Sequence, residues 1–226
     1  AVCGREIHAK NNAHDASEGQ GLFYTFEEFI KEKLTRIDSL TYIQGGNFAM
    51  YKNLYPREIP SGCTQDGIIA FDVVLSRHRV LYEPRAVSTE EYNLSNSEDF
   101  NRRIRTISRA FYSIMCRPDV LNPFKVGSYF YHILSGRLMR WLTLPIMLIT
   151  CVFGIIVENN IINWLVICGM MFCIFMVIFG YLLEKIKKRM RLPYLVYYFV
   201  YIHYAAAFAV FKVIFGKRVT TWKPSN

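Results

Sequence analysis

The chain has 226 residues, 27 Lys and Arg against 18 Asp and Glu, and 52% apolar residues, with a mean hydropathy of +0.16. Composition of this kind excludes a disordered chain and argues against an ordinary soluble domain. The charge divides it: residues 1–137 carry 17 basic and 16 acidic side chains, whereas 138–226 carry 10 basic and 2 acidic. The basic excess lies beside apolar runs, so its partner is an anionic membrane surface and not nucleic acid.

Val2-Cys3-Gly4 reads as the end of a strand, and the chain opens on Ala1 with no signal-peptide pattern, so a piece of a longer protein is expected. Lys10–Gly21 is polar with two glycines and reads as a loop. Thr25 and Glu28 form a capping box, and Phe26, Phe29, Ile30 and Leu34 follow at helical spacing, which predicts a helix over about 26–36. Gly45-Gly46-Asn47 marks either a turn or a close approach of the backbone to another group. Ser61–Asp66 is a loop, and the apolar run from Ile68 to Leu75 predicts a buried helix with Asp66 at its N-terminal edge, where it serves as an N-cap unless it has a chemical role. Arg79–Tyr82 reads as a short strand stopped by Pro84, and Glu90–Asp99 as a surface loop.

Phe100, Ile104, Ile107, Phe111 and Ile114 fall within about 80° on a helix, and Arg102, Arg105 and Arg109 within about 60° on the opposite side. Three guanidiniums on one face need a neutralising partner. Lipid headgroups would serve, and so would a diphosphate, whose oxygens match the arginine fork. The six cysteines form no CxxC pair and read as small buried hydrophobes in a reducing compartment.

Leu138–Val157 and Ile161–Leu183 are each long enough to cross about 30 Å of hydrocarbon. Glu158-Asn159-Asn160 is the polar turn between them. Lys185, Lys187, Lys188, Arg189 and Arg191 mark the next loop as cytoplasmic, with Arg137, Arg140 and residues 1–137 on the same side. The run Pro193–Gly216, interrupted by Lys212, is expected to cross, although the tail with Lys217, Arg218 and Lys223 would then lie outside; an interfacial or re-entrant course is the other possibility.

These pieces, in this order, resemble the C-terminal part of membrane-bound family 2 glycosyltransferases, the group of cellulose, chitin and hyaluronan synthases and of bacterial exopolysaccharide enzymes. Gly45-Gly46-Asn47 with Phe48–Tyr55 is similar to the segment before the acceptor site. Thr64-Gln65-Asp66 resembles the Thr-Glu-Asp motif, with Gln in place of Glu. Arg79–Val87 resembles the following strand. Arg102-Arg103-Ile104-Arg105-Thr106 resembles the Gln-x-x-Arg-Trp motif with only its arginine, Arg105, retained, which puts processive synthesis in doubt. The tail Gly216–Trp222 extends the resemblance.

The resemblance implies an α/β fold, the C-terminal portion of a GT-A type domain over 1–137, followed by transmembrane helices at 138–157, 161–183 and 193–216. It implies transfer of a sugar from a nucleotide sugar, a UDP-sugar above all, to a saccharide or lipid-linked acceptor at the cytoplasmic face of a bacterial inner membrane. Asp66 would be the general base, and Arg105 would face the diphosphate. Gly45, Gly46 and Asn47 would lie along the substrate, and the helical face adds Arg102 and Arg109 as supports. A divalent metal, Mg or Mn, is expected in the full-length enzyme, with its Asp-x-Asp ligands upstream of Ala1, so this chain alone should be inactive. The competing expectation is a non-catalytic membrane-anchored partner that uses the arginine face to hold an anion.

Overall fold

The computed structural model describes residues 1–9, 18–91, 96–156, 160–186 and 190–216. The described residues are mostly helical, 71%, with one small three-stranded sheet. It divides into two units, residues 1–138 with 209–226, and residues 139–208.

In the first unit β1 (Val2–Ala9) is the central strand. It pairs antiparallel with the two-residue β2 (Phe48–Ala49) and parallel with β3 (Leu81–Glu91). A parallel pair needs a long crossover, and α1 (Glu18–Ile37) and α2 (Gln65–Leu75) lie within it. Val2-Cys3-Gly4 therefore begins a strand. Pro84 does not stop β3: the register jumps from Gly4↔Glu83 to Arg5↔Val87, and Pro84 falls inside that irregularity, where its missing N–H costs no ladder bond. Asn47 plugs the gap. Its side-chain amide donates to Ala86 O at 2.8 Å, and its carbonyl accepts from Gly4 N at 2.8 Å. Any Cβ on Gly4 would collide with Ala86 O and the Asn47 side chain, so the plug requires glycine there.

Helix α1 already runs at Glu18, ahead of the expected capping box, so Thr25 is an interior helical residue. Phe26 and Phe29 are exposed and do not join the core. Residues 10–17 of the expected loop, and 92–95 of the later one, lie outside the described residues, while Glu90 and Glu91 end β3 and Asn96–Asp99 open α3 (Asn96–Cys116).

Helix α2 buries Ile68, Ile69, Ala70, Phe71, Val73 and Val74, as its apolar run, interrupted only by Asp72, predicts. Leu40, Ile43, Val80, Tyr129 and Ile133 complete the core. Full burial of an aliphatic side chain contributes roughly 1.5–3 kcal/mol. Asp72 of α2 accepts two bonds from Arg117, at 2.7 and 3.2 Å, which ties α2 to the end of α3.

After α4 (Pro123–Val126), α5 (Tyr129–Ile133), a π-turn (Leu134–Met139) and α6 (Arg140–Ile156) form one continuous helix. The expected boundary at Leu138 therefore falls inside a helix, because hydropathy sees only where apolar composition begins. Pro145 lies within α6, as proline can in apolar helices.

In the second unit, α6, α7 (Asn160–Lys185) and most of α8 (Arg191–Ile214) are apolar. Three helices, Tyr129–Ile156, Ile161–Leu183 and Leu192–Ile214, are long and apolar enough to cross a membrane. Only 6% of the apolar windows of the first two is buried within the protein, a surface that suits hydrocarbon and not water. Gly154 faces Val166 at 2.8 Å from an added Cβ, and a Cβ on Gly180 would meet Pro193 O at 2.5 Å, so α6–α7 and α7–α8 approach closely at glycine. Lys212 lies in the last turn of α8 and interrupts nothing. The turn residues Glu158 and Asn159, the basic residues Lys187, Lys188 and Arg189, and the tail with Lys217, Arg218, Trp222 and Lys223 lie outside the described residues.

All six cysteines are free thiols, but only Cys3 and Cys63 are buried; Cys168 and Cys173 point outward from α7. Burial and a hydrogen bond with Cys116 push the Cys63 thiol up to about 11, so it stays protonated and unreactive at neutral pH.

Candidate functional site

The segment Gly62-Cys63-Thr64-Gln65-Asp66 turns the chain into α2. Gly62 has φ +89°, a left-handed conformation suited to glycine. Thr64 is the N-cap, accepting from Gly67 N at 3.3 Å. The capping alternative for Asp66 is thereby corrected: a hydroxyl three residues from Gly67 reaches its N–H, which leaves the carboxylate in the first turn for other contacts. Helix α3 fastens this entrance. Ser113 Oγ accepts from Thr64 N at 2.9 Å and donates to Arg109 O at 2.8 Å, and Arg109 Nη2 donates to Cys63 O at 2.7 Å.

The Asp66 carboxylate is half-buried against the Gly45 turn. A Cβ on Gly45 would stand 2.7 Å from Asp66 Oδ1, and Ile43 N donates to Asp66 O at 3.2 Å. Gly45-Gly46 is thus both a turn and a close approach. Burial raises the Asp66 carboxyl above the usual carboxylate range, and the nearby Glu6 charge adds to this; Arg109 and Arg137 act in the opposite direction. Such a carboxylate, still open to solvent on one side, holds a proton more readily than an exposed one, as a general base must.

A second layer holds the turn. Gln44 donates to Glu6 Oε2 at 2.7 Å and accepts from Lys31 Nζ at 3.2 Å. Lys31 is buried, 8% exposed, between the rings of Tyr42 and Tyr82, its ammonium 5.5 Å from each centroid. Glu6 Oε1 would stand 3.0 Å from a Cβ on Gly46. Arg137 donates from Nε to Thr41 Oγ1 at 3.2 Å, and its guanidinium lies 4.4 Å from the Tyr42 ring centroid.

Of the expected site residues, Gly45, Gly46 and Arg109 gather around Asp66. Asn47 is spent on the strand irregularity. Arg102 and Arg105 are half-buried on α3, and Arg109 acts on Asp66. The fork of Arg109 is turned onto a backbone carbonyl, so its first role is to fasten α3 to the entrance of α2. Glu6, Gln44, Lys31, Tyr42 and Arg137 were not singled out from sequence for the site. Arg137 was legible only as a membrane-flanking charge, and no local pattern marks Glu6 or Lys31, because their partners lie 38 and 13 residues away. Among the described residues no three His, Cys, Asp or Glu side chains converge as metal ligands. No protein-family model matches the chain, and no curated protein matches it either.

Proposed function

We propose that this chain is the acceptor-side portion of a membrane-bound, GT-A type family 2 glycosyltransferase. It transfers a sugar from a nucleotide sugar, of which a UDP-sugar is the leading candidate, to a saccharide or lipid-linked acceptor at the cytoplasmic membrane face. The observation that carries this reading is the seat of Asp66: a half-buried carboxylate with a raised proton affinity, in the first turn of a buried helix, against a Gly-Gly turn. The Thr64-Gln65-Asp66 and Arg102–Thr106 segments and the apolar helices behind them support it.

In this mechanism the acceptor hydroxyl loses its proton to an Asp66 oxygen as its oxygen bonds to the sugar's anomeric carbon. The bond from that carbon to the nucleoside diphosphate breaks, and the diphosphate leaves with the electron pair. Its growing negative charge calls for a guanidinium, the role of Arg105, with Arg102 on the same helical face. Asp66→Asn keeps the size of the side chain and removes the base. In membranes carrying the complete gene product, Asp66→Asn should lower sugar transfer by about 10²–10⁴-fold while nucleotide binding persists. Transfer at the parental rate would show that Asp66 is not the base.

A further inference from the structure

The π-turn Leu134–Met139 has no counterpart in a hydropathy pattern, and π-turns inside α-helices often mark functional positions. It advances roughly 80° per residue in place of 100°, which keeps Arg137 in line with Tyr129 and Ile133, both fully buried in the first unit. The twenty residues from Arg137 to Ile156 rise about 30 Å, the thickness of a hydrocarbon core.

From that position Arg137 grips the chain just before the Asp66 seat. Its Nε donates to Thr41 Oγ1, and its guanidinium lies on the Tyr42 ring. Thr41 is itself buried. The next residues form the seat: Ile43 N bonds Asp66 O, Gln44 holds Glu6, and Gly45 lies under Asp66 Oδ1. We infer that Arg137 is a positioning residue for Asp66, clamping Thr41–Gly45 from the root of the first long apolar helix. Its role in catalysis rests on the reading of Asp66 as the base. The charged groups acting on Asp66 are Glu6 from β1, Arg109 from α3 and Arg137 itself. The first disfavours the carboxylate, and the two cations favour it.

Carbodiimide labelling of Asp66 against pH, read by peptide mass spectrometry on the complete gene product in nanodiscs, reports protonation of Asp66 whether or not sugar is transferred. Arg137→Gln removes one of the two cations, so the labelling midpoint should rise. Arg137→Lys keeps the charge without the planar fork and should move it less. Thr41→Val, which leaves the helix intact and deletes only the acceptor of Nε, should move it in the same direction as Arg137→Gln. An unmoved midpoint in both Arg137→Gln and Thr41→Val overturns the inference.

In transfer assays the acid limb of the rate profile should shift upward with Arg137→Gln. The pair Asp66→Asn with Arg137→Gln should be no slower than Asp66→Asn alone; a further additive loss would mean that Arg137 acts elsewhere, which also overturns the inference. A midpoint shifted in Arg137→Gln and Thr41→Val, with a parent protein that transfers no sugar, upholds the positioning role and removes the glycosyltransferase reading.

Discussion

Helices α2 and α7 are both strongly apolar, yet α2 has 11 residues and buries its apolar run inside the first unit, while α7 has 26 residues and exposes Ile161, Leu165, Phe172 and Ile174. The same kind of side chain thus meets protein in one helix and, by its exposure and length, hydrocarbon in the other. Length tells them apart: 11 residues rise about 16 Å, half a bilayer core, while 26 rise about 39 Å. Packing follows the same division. The core around α2 is buried, and its entrance carries a polar site, whereas α7 approaches α6 and α8 closely at Gly154 and Gly180 and meets α8 also through Tyr181 and Tyr197.

Substitutions in the two helices sharpen this contrast. Ile69, 1% exposed in α2, should cost about 2–5 kcal/mol when changed to Ala, because the close-packed neighbours relax only partly around the cavity. Ile174→Ala in α7, where Ile174 is 50% exposed, should cost under about 1 kcal/mol, since lipid fills the space. Thermal unfolding of the two variants in nanodiscs checks the difference; equal losses would place α7 in a protein core.

The next effect in size concerns α3. If Arg105 meets the diphosphate, Arg105→Ala should weaken nucleoside-diphosphate binding by about 1.5–3 kcal/mol. Arg105→Lys should weaken it too, because lysine lacks the fork. Calorimetric titration on the complete gene product decides, and equal affinity in all three forms removes Arg105 from the site.

A smaller effect is expected at the seat itself. Gly45→Ala puts a methyl group 2.7 Å from Asp66 Oδ1. The carboxylate must swing away, so transfer should fall about tenfold, in line with a misplacement below 1 Å, while nucleotide affinity stays at the parental value. Unchanged transfer would mean that the position of Asp66 is not critical.

The smallest effect is one of stability, and its sign follows from burial. The folded protein raises the Asp66 carboxyl above its unfolded value. Asp66 therefore costs folding stability as pH rises through the interval between those values, and the cost persists at neutral pH. Asp66→Asn, which cannot ionise, should raise the unfolding midpoint at pH 7 and leave it unchanged at a pH below both values. A lower midpoint at pH 7 would mean that the charged form is held favourably, against the burial seen here.

The local structure that rests on spacing was open to inspection in the chain. The buried run of α2, the amphipathic α3 and the long apolar helices all follow from periodicity and length. The start of α1 did not, because a capping-box pattern is also compatible with a helix interior. Nor did the course of β3 through Pro84, since proline breaks a strand only where a ladder bond is due, and the Asn47 plug removes that requirement. The first helix long and apolar enough to cross a membrane begins nine residues before its apolar run, because Tyr129 and Ile133 are anchored in the core of the first unit.

What the sequence by itself determined is the division into a charge-balanced part and an apolar, basic part, and the identity of Asp66 as a carboxylate entering a buried helix. Tertiary structure alone decided what surrounds that carboxylate. Glu6, Gln44, Lys31, Arg109 and Arg137 come from four helices or strands and one loop, and their spacing along the chain follows no period. Hydrogen bonds and charges act over a few ångströms of space regardless of sequence distance. The proton affinity of Asp66 and the grip of Arg137 on Thr41 and Tyr42 therefore exist only once β1, α1, α3 and the π-turn have packed around one glycine turn.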